Sequence, residues 1–443
     1  MITNKINIRG SFTDCYIYYG YIFFIDINGR ISYMPYSKLI YYFKKKYPEL
    51  SPLFDLFFLR NDYIFTESAK VILSIESIRK QLIKEWNKLS KIGELTINFA
   101  DIENELKNVD IESLMPLLDM KIYNMRMFLG NDRGLHEFSI TPQLSAINIA
   151  KHSKKIFDGK IINISAGYGS LALSAANDGL IPGIWNSLNS KFDIQDKSVI
   201  DSRSMRTAWS GYDIVNYDSA RTFQFLKNKV TDSKIHQSNY YKDESFEKKC
   251  IVEYGTTKIK TQSMFANSKI DPNNILYCFN SKETAYFFMK DGQFLRQNFI
   301  KKDENVRLST KEIEIKGTKH RKHFTKPLSS VMLPASCAVE FYDNVLVFIN
   351  NKAYEIENEP IMSMRSFISS YRYKYLLAIS RENGISLHSL YPFDTIKTIG
   401  SKKYDYFKDN QPEIKEQSDF NHDIKYINWE KEFLNDKDDD LPF

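Results

Sequence analysis

The residues whose types and order could do chemistry stand together at the C-terminus: Asp438, Asp439, Asp440, Leu441, Pro442 and Phe443. The ring of Phe443 can fill a small apolar pocket while its α-carboxylate pairs with a basic side chain at the pocket rim. Leu441 and Pro442 frame this anchor, and Pro442 limits the conformations lost on binding. The three aspartates would steer the segment to a basic surface, so that binding weakens with salt. This pattern predicts a peptide that docks on a partner protein at roughly micromolar affinity (about −8 kcal/mol).

The charge of the chain is unevenly divided. The 443 residues carry a net charge of +6, but residues 430–443 carry −4, which leaves +10 on residues 1–429. A basic body with an acidic tail is typical of proteins that handle nucleic acid.

The last residues resemble the C-terminal tip of bacterial single-stranded DNA-binding protein. In that family a short run of aspartates precedes an aliphatic residue, proline and phenylalanine, and the tip docks replication, recombination and repair enzymes onto single-stranded DNA. The resemblance covers about eight of 443 residues. The remainder does not resemble that protein, whose domain is a small five-stranded barrel followed by a linker rich in Gly, Gln and Pro. The resemblance therefore implies partners for the tail and leaves the body to be interpreted separately.

A basic loop at 316–326 is a candidate for contacts to nucleic-acid phosphates. Its cations are Lys316, Lys319, Arg321, Lys322 and Lys326. The alternative is a solvated loop on a Lys-rich protein. His320 and His323 in the same loop have a spacing that could ligate a metal, but no local carboxylate or Cys accompanies them, so no metal site is predicted.

A second candidate segment alternates aromatic and basic residues: Tyr371, Arg372, Tyr373, Lys374 and Tyr375. On a strand, the tyrosines would face one side and the cations the other. Aromatic side chains next to cations hold single strands by base stacking and backbone charge. The alternative places the tyrosines in the core and the cations outside.

Turn signals recur through the chain and predict a mainly β fold. Five dipeptides flanked by β-rich runs favour type I′ hairpins: Asn28-Gly29, Asp158-Gly159, Asp178-Gly179, Asp291-Gly292 and Asn383-Gly384. Two middle segments, 164–170 and 206–212, resemble each other faintly. Counting the strand-rich units gives about seven, which predicts an irregular β-propeller, with two packed β domains as the alternative.

One section interrupts the β pattern. Apolar residues recur at helical spacing over 67–90, a second helix is predicted from about 101 to 115, and the polar segment 231–274 is interpreted as long loops. The predicted organisation is a first β unit (1–40), a helical insertion (41–118), a propeller-like body (119–399) and a linker with a flexible acidic tail (400–443).

The remaining features describe the compartment and the chemistry. Cys15, Cys250, Cys278 and Cys337 form no C-x-x-C motif, and the sequence has neither a signal-peptide pattern nor an apolar run long enough for a membrane helix. These features predict a cytoplasmic protein. The sequence has no Walker motif and no nucleophile elbow, and we expect no cofactor and no metal.

The sequence therefore predicts a non-enzymatic protein of DNA replication or repair. It would bind single-stranded DNA, recruit enzymes that recognise the tail of single-stranded DNA-binding protein, or do both. Three alternatives stay open. The tail could fold onto the basic surface of the same chain, the body could be a nuclease or hydrolase that the tail delivers to DNA, or the chain could be a protein-interaction scaffold.

Overall fold

The computed structural model describes residues 3–390 except 144–145, 187–190, 240–241, 267, 303–304, 311–312, 316–326, 335, 350–351, 369 and 371; residues 1–2 and 391–443 lie outside it. The described chain is mainly β and forms seven small sheets of four or five strands. The predicted β class is therefore confirmed. No helix in the described part of the chain is long and apolar enough to cross a membrane.

The first three sheets follow one another along the chain. Sheet 1 contains β2 (Phe12–Tyr18), β3 (Tyr21–Asp26), β4 (Arg30–Pro35) and β6 (Lys107–Asp110). Sheet 2 contains β7 (Asp119–Tyr123), β8 (Arg126–Gly130), β9 (Leu135–Pro142), β10 (Ile147–Ile149) and β11 (Lys154–Phe157). Sheet 3 contains β12 (Asn163–Gly167), β13 (Ser170–Ser174), β14 (Leu180–Asn186) and β15 (Lys191–Ile194).

The other four sheets continue this order, and the last one takes in the N-terminal strand. Sheet 4 contains β16 (Arg206–Ser210), β17 (Asp213–Tyr217), β18 (Phe223–Asn239) and β19 (Lys242–Lys260). Sheet 5 contains β20 (Ile275–Ser281), β21 (Thr284–Met289), β22 (Phe294–Lys302), β23 (Asn305–Leu308) and β24 (Ile313–Glu314). Sheet 6 contains β25 (Ser329–Leu333), β26 (Ser336–Glu340), β27 (Val345–Ile349) and β28 (Lys352–Glu357). Sheet 7 contains β29 (Ser363–Ser366), β30 (Leu376–Arg381), β31 (Gly384–Leu390), β1 (Thr3–Arg9) and β5 (Thr96–Asn98).

Neighbouring sheets pack face to face. Separate hydrophobic clusters lie between sheets 2 and 3, 3 and 4, 4 and 5, 5 and 6, and 6 and 7, and the largest cluster joins sheets 7, 1 and 2. Both faces of a sheet in such a stack are buried, so its strands need apolar residues at consecutive positions. β27 is an example, because Val345, Leu346, Val347 and Phe348 are all buried.

One edge strand of each sheet, called its first strand here, lies next to the first strand of a neighbouring sheet. β7 contacts β12, β12 contacts β16, β16 contacts β20, β20 contacts β25, β25 contacts β29, and β29 contacts β2. β1 pairs antiparallel with β31 along its whole length, so the start of the chain completes the last sheet. These seven first strands are called the inner strands below.

The hairpins confirm four of the five dipeptides as turn sites but not the predicted turn type. At Gly29, Gly179 and Gly292 φ is +75°, +87° and +84°, while the residue before each glycine does not have positive φ. Asp26 Oδ1 accepts hydrogen bonds from the backbone N–H groups of Asn28 and Arg30, which is typical of a type I turn followed by a glycine bulge. The Asp158-Gly159 dipeptide forms no hairpin, because β11 pairs with β9 whereas β12 pairs with β13.

Turns in which both central residues have positive φ occur elsewhere. They are Tyr19-Gly20, Asn124-Met125 and Tyr168-Gly169, and each follows an inner strand. A non-glycine residue with positive φ carries a steric cost, and no Asn-Gly or Asp-Gly signal marked these positions in the sequence.

The helices are shorter than predicted. They are α1 (Tyr36–Lys46), α2 (Ser51–Phe54), α3 (Glu67–Ser74), α4 (Glu76–Leu89) and α5 (Thr261–Met264). The predicted helix over 67–90 is interrupted at Ile75, whose ψ of 113° is extended. Trp86 and Leu89 are buried against the β core, whereas Val71, Ile72, Ile75 and Ile78 remain exposed.

Two other secondary-structure predictions are wrong, the helix over about 101–115 and the long loops over much of 231–274. Residues 101–115 form β6 and short 3-10 turns instead of a helix, because the backbone of residues 107–110 pairs with β4. Residues 231–239 and 242–260 form the two arms of a long antiparallel β-hairpin, β18 and β19, instead of loops. Backbone pairing between two strands does not require apolar side chains, so polar composition alone did not indicate this hairpin.

Candidate functional site

The sequence-predicted site residues are only partly described. The tail (Asp438, Asp439, Asp440, Leu441, Pro442 and Phe443), the basic loop (Lys316, Lys319, Arg321, Lys322 and Lys326) and Tyr371 lie outside the described residues, as do His320 and His323. Arg372, Tyr373, Lys374 and Tyr375 are described.

The predicted strand at 371–375 is wrong for these four residues, which form a turn before β30. The backbone N–H of Tyr373 donates to Ser370 Oγ, and the N–H of Leu376 donates to the carbonyl of Tyr373. In this tight turn the aromatic and basic side chains do not alternate between two faces, as they would on a strand. Tyr373 is buried, with its ring centroid 5.3 Å from that of Tyr36, so it packs in the core as the alternative interpretation expected.

A cavity of about 780 Å³ lies between the inner strands. Residues of all seven inner strands line it, together with Arg372 and Tyr373 from the turn before β30. The lining contains four basic side chains, Lys121, Arg206, Arg365 and Arg372, and one acidic side chain, Asp119. It also contains ten aromatic residues: Tyr16, Tyr18, Tyr19, Tyr21, Tyr123, Trp209, Tyr217, Phe279, Phe367 and Tyr373.

Arg365 on β29 joins three sheets at the wall of this cavity. Its Nη2 lies 2.6 Å from Asp14 Oδ2 on β2, and its Nη1 lies 2.9 Å from Asp119 Oδ1 on β7. Burial alone would lower the pKa of Arg365, but the charges of Asp14 and Asp119 raise it well above its usual value. Arg365 is therefore a permanent cation whose charge is balanced by two carboxylates.

The hydrogen bonds continue from Asp119 to the next two sheets. Asp119 Oδ2 accepts from Asn163 Nδ2 (3.0 Å) and from the backbone N–H of Ile164 (2.8 Å). Asn163 Oδ1 in turn accepts from the backbone N–H of Thr207 on β16, at 3.0 Å. Side chains on the inner strands thus connect sheets 7, 1, 2, 3 and 4.

Arg206 on β16 is held by neutral groups. Its Nη1 donates to the Tyr277 hydroxyl (2.6 Å) and to Ser330 Oγ (3.2 Å), and its Nη2 donates to the Cys278 carbonyl (2.6 Å). Its guanidinium carbon also lies 4.2 Å from the ring centroid of Tyr217. In the described part of the chain no carboxylate pairs with Arg206, so its positive charge is left uncompensated beside the cavity.

Lys121 lies on β7 between Asp119 and Tyr123, and alternation places these three side chains on one face of the strand. Both oxygens of Asp119 are already occupied by Arg365, Asn163 and backbone N–H groups. Lys121 has no ion-pair partner among the residues that the structure describes. It is therefore a second cation available to the cavity.

Aromatic side chains from neighbouring sheets meet near one end of the cavity. The ring centroid of Tyr168 lies 5.7 Å from that of Trp209 and 4.6 Å from that of Tyr212. The indole Nε1 of Trp209 is buried and has no hydrogen-bond partner within the described ranges.

A second polar cluster lies away from the cavity, between sheets 6 and 7. Glu357 Oε1 lies 2.9 Å from His388 Nε2 and 3.0 Å from Ser386 Oγ, and Glu357 Oε2 lies 3.2 Å from Arg381 Nη1. Burial alone would raise the pKa of Glu357, but the His388 hydrogen bond and the nearby cations lower it to about 2. Burial lowers the pKa of His388 below its usual value. This cluster stabilises the sheet that the N-terminal strand completes.

Cys15, Cys278 and Cys337 are buried and are poorly suited to act as nucleophiles. Burial raises the pKa of Cys278 to about 12 and that of Cys15 well above its usual value, so both stay protonated at neutral pH. Among the described residues, no group of three or more His, Cys, Asp or Glu side chains is arranged to hold a metal ion.

Sequence reasoning missed the cavity residues Lys121, Arg206 and Arg365. The one available signal was the faint resemblance between 164–170 and 206–212. The first of these segments begins in β12 and the second in β16, two adjacent inner strands that both line the cavity.

No protein-family model and no curated protein sequence matches the chain. Among solved structures, it is similar to the WD40 repeats of RRP9 (9% identity, 88% of this chain and 99% of that chain, TM-score 0.43). It is also similar to the computationally designed Ika8 protein (9% identity, 88% and 100%, TM-score 0.40). A putative 6-phosphogluconolactonase from Bacteroides uniformis shares 9% identity over 58% of this chain and 75% of that chain, with a TM-score of 0.34. These weak similarities carry no argument about function.

Proposed function

We propose that the seven sheets are the blades of an irregular seven-bladed β-propeller. The order of the sheets along the chain, the side-by-side inner strands and the hydrophobic clusters between neighbouring sheets support this arrangement. The pairing of β1 with β31 supports it further, because the two ends of the body then hold the same blade together.

We further propose that the chain is a non-enzymatic, cytoplasmic protein of DNA metabolism. Its C-terminal peptide would recruit enzymes that recognise the tail of single-stranded DNA-binding protein, and its body would hold single-stranded DNA. The observation that carries this proposal is the order Asp-Asp-Asp-Leu-Pro-Phe at residues 438–443. Each part of that order has a physical role in docking: long-range attraction, restricted conformation and an aromatic anchor with a carboxylate.

The charge of the body supports contact with a polyanion. Residues 1–429 carry +10, and part of this positive charge lies uncompensated in the cavity lining, at Lys121 and Arg206. The basic loop 316–326 would supply phosphate contacts of the same kind. A single strand also exposes its bases, which stack on aromatic side chains such as those around the cavity.

Fluorescence anisotropy of labelled oligo-dT tests the DNA-binding half of the proposal. We expect the full chain and a chain ending at Asp440 both to bind, because the three residues removed carry no positively charged side chain that would contact the DNA. Three phosphate contacts would weaken binding about 20-fold between 50 and 200 mM salt.

The two chains also separate the alternatives. A marked gain in affinity on truncation would identify the tail as a competitor that covers the DNA-binding surface. Absence of binding by both chains would contradict a DNA-binding body. A metal-dependent nuclease activity that survives truncation would instead favour the enzyme alternative.

A further inference from the structure

We propose that the cavity between the inner strands binds a single nucleotide, with its phosphate on Lys121 and Arg206 and its base among the aromatic side chains. This inference deepens the proposed nucleic-acid contact of the body, because it uses the same cavity lining, and it does not depend on the function of the tail.

The charge of the lining selects an anion. Arg365 is neutralised by Asp14 and Asp119, and Asp119 is the acidic residue of the lining. The charges of Lys121 and Arg206 are not balanced by any carboxylate of the described chain. Two uncompensated cations on different inner strands match a group that carries up to two negative charges and several acceptor oxygens, as a phosphate does.

The geometry of Arg206 makes it a fixed cation. Three hydrogen bonds and the flanking rings of Tyr217 and Tyr277 hold the guanidinium in one position before any ligand arrives. A preorganised charge loses little conformational entropy on binding. Lys121, with a flexible side chain and no ion-pair partner among the described residues, can adjust to the second face of the phosphate.

The aromatic part of the lining selects a flat ring. Trp209 lines the cavity together with nine other aromatic residues, while the Nε1 edge of its indole is buried close to Gly167. A base offers a flat π-face that stacks on such rings. An aliphatic anion would use the cations but would not stack on these rings.

The dimensions of the cavity fit a ligand of this size. Its volume of about 780 Å³ falls within the range of roughly 300–1,000 Å³ that is usual for small-molecule sites. Tyr19, at the turn after β2, lines the cavity and is 60% exposed, so the cavity reaches the surface at this end.

Isothermal titration of the full chain with adenosine 5′-monophosphate, adenosine and inorganic phosphate tests the proposal. We expect the monophosphate to bind more tightly than adenosine or phosphate, because only the monophosphate occupies both parts of the cavity. Lys121→Met removes a charge-assisted hydrogen bond and should weaken monophosphate binding about tenfold or more, while adenosine binding changes little. Lys121→Arg keeps the charge and should retain binding.

Lys191→Met is the matched control, because Lys191 lies on the outer strand β15 and is half exposed. It should bind the monophosphate as the unmodified chain does. Equal affinities for Lys121→Met and Lys191→Met would overturn the proposal. Absence of monophosphate binding by both the full chain and a chain ending at Asp440 would overturn it as well. Binding of a peptide with the sequence of residues 436–443, without monophosphate binding, would reassign the cavity to the tail.

Discussion

Replacing Arg365 by methionine is expected to lower the free energy of unfolding by about 3–5 kcal/mol. The substitution keeps most of the side-chain volume but leaves Asp14 and Asp119 as neighbouring carboxylates without their cation. Both carboxylates are nearly buried, with 12% and 10% of their side chains exposed, so water can replace little of the lost interaction. Urea unfolding followed by circular dichroism measures the change.

The Arg9–Glu94 pair provides the control for this prediction. Its Nη2 and Oε2 atoms lie 3.4 Å apart, but both side chains are about two-thirds exposed. Arg9→Met should therefore cost less than about 1 kcal/mol. If Arg365→Met and Arg9→Met cost the same, the ion pairs of Arg365 do not hold sheets 7, 1 and 2 together. The loss of unfolding free energy in Arg365→Lys should lie between the losses in Arg365→Met and Arg9→Met. The lysine keeps the positive charge, but a single ammonium lacks the forked guanidinium that bridges two carboxylates.

Replacing Glu357 by glutamine is expected to lower the free energy of unfolding by about 3 kcal/mol at pH 7. Glu357 is buried and accepts from His388, Ser386 and Arg381, so the amide would remove the negative charge that these groups surround. A pKa of about 2 in the folded chain, against about 4.3 in the unfolded chain, corresponds to about 3 kcal/mol of stability. Thermal or urea unfolding at pH 7 measures this loss.

The same cluster predicts how stability depends on pH. Because folding lowers the pKa of Glu357, its contribution is present above pH ~4.3 and is lost as the pH falls towards 2. Folding also lowers the pKa of His388, so the unfolded chain takes up that proton first as the pH falls through ~6.5. Both groups therefore destabilise the fold on acidification, first below about pH 6.5 and further below about pH 4.3.

The Glu357→Gln variant should no longer show the further loss of stability below about pH 4.3, because it has no carboxylate at this position to protonate. Glu359→Gln is its control, because Glu359 lies 3.7 Å from the same Arg381 but is half exposed. That variant should keep both the stability and the pH profile of the unmodified chain. An unchanged acid profile in Glu357→Gln would contradict the role given to Glu357.

The hairpins were predictable from the sequence because their signals are local. Gly29, Gly179 and Gly292 mark turns through a backbone conformation that glycine adopts readily, and the strands beside them are rich in β-branched and aromatic residues. The turns at Tyr19-Gly20 and Asn124-Met125 were not predicted, because tertiary packing holds unusual residues in positive φ there.

The cavity was not predictable, because the residues that contact one another in its wall are far apart in the sequence. Arg365 meets Asp14 across 351 positions and Asp119 across 246, and Arg206 meets Ser330 across 124. No short motif records such contacts, since each inner strand contributes only a few residues. The tail pattern could be recognised from the sequence, because its six residues are consecutive. A docking role could therefore be predicted for them without knowledge of the fold.

The central claim, that the tail recruits enzymes, is tested most directly by a displacement measurement. A labelled peptide from the tail of bacterial single-stranded DNA-binding protein is bound to an enzyme that recognises it, and this chain is added as competitor. We expect the full chain to displace the peptide at roughly micromolar concentration. Phe443→Ala should displace it at least 100-fold less well, and Phe433→Ala, the same change earlier in the acidic segment, should compete like the full chain. Displacement that is absent, or equal for Phe443→Ala and Phe433→Ala, would contradict the account.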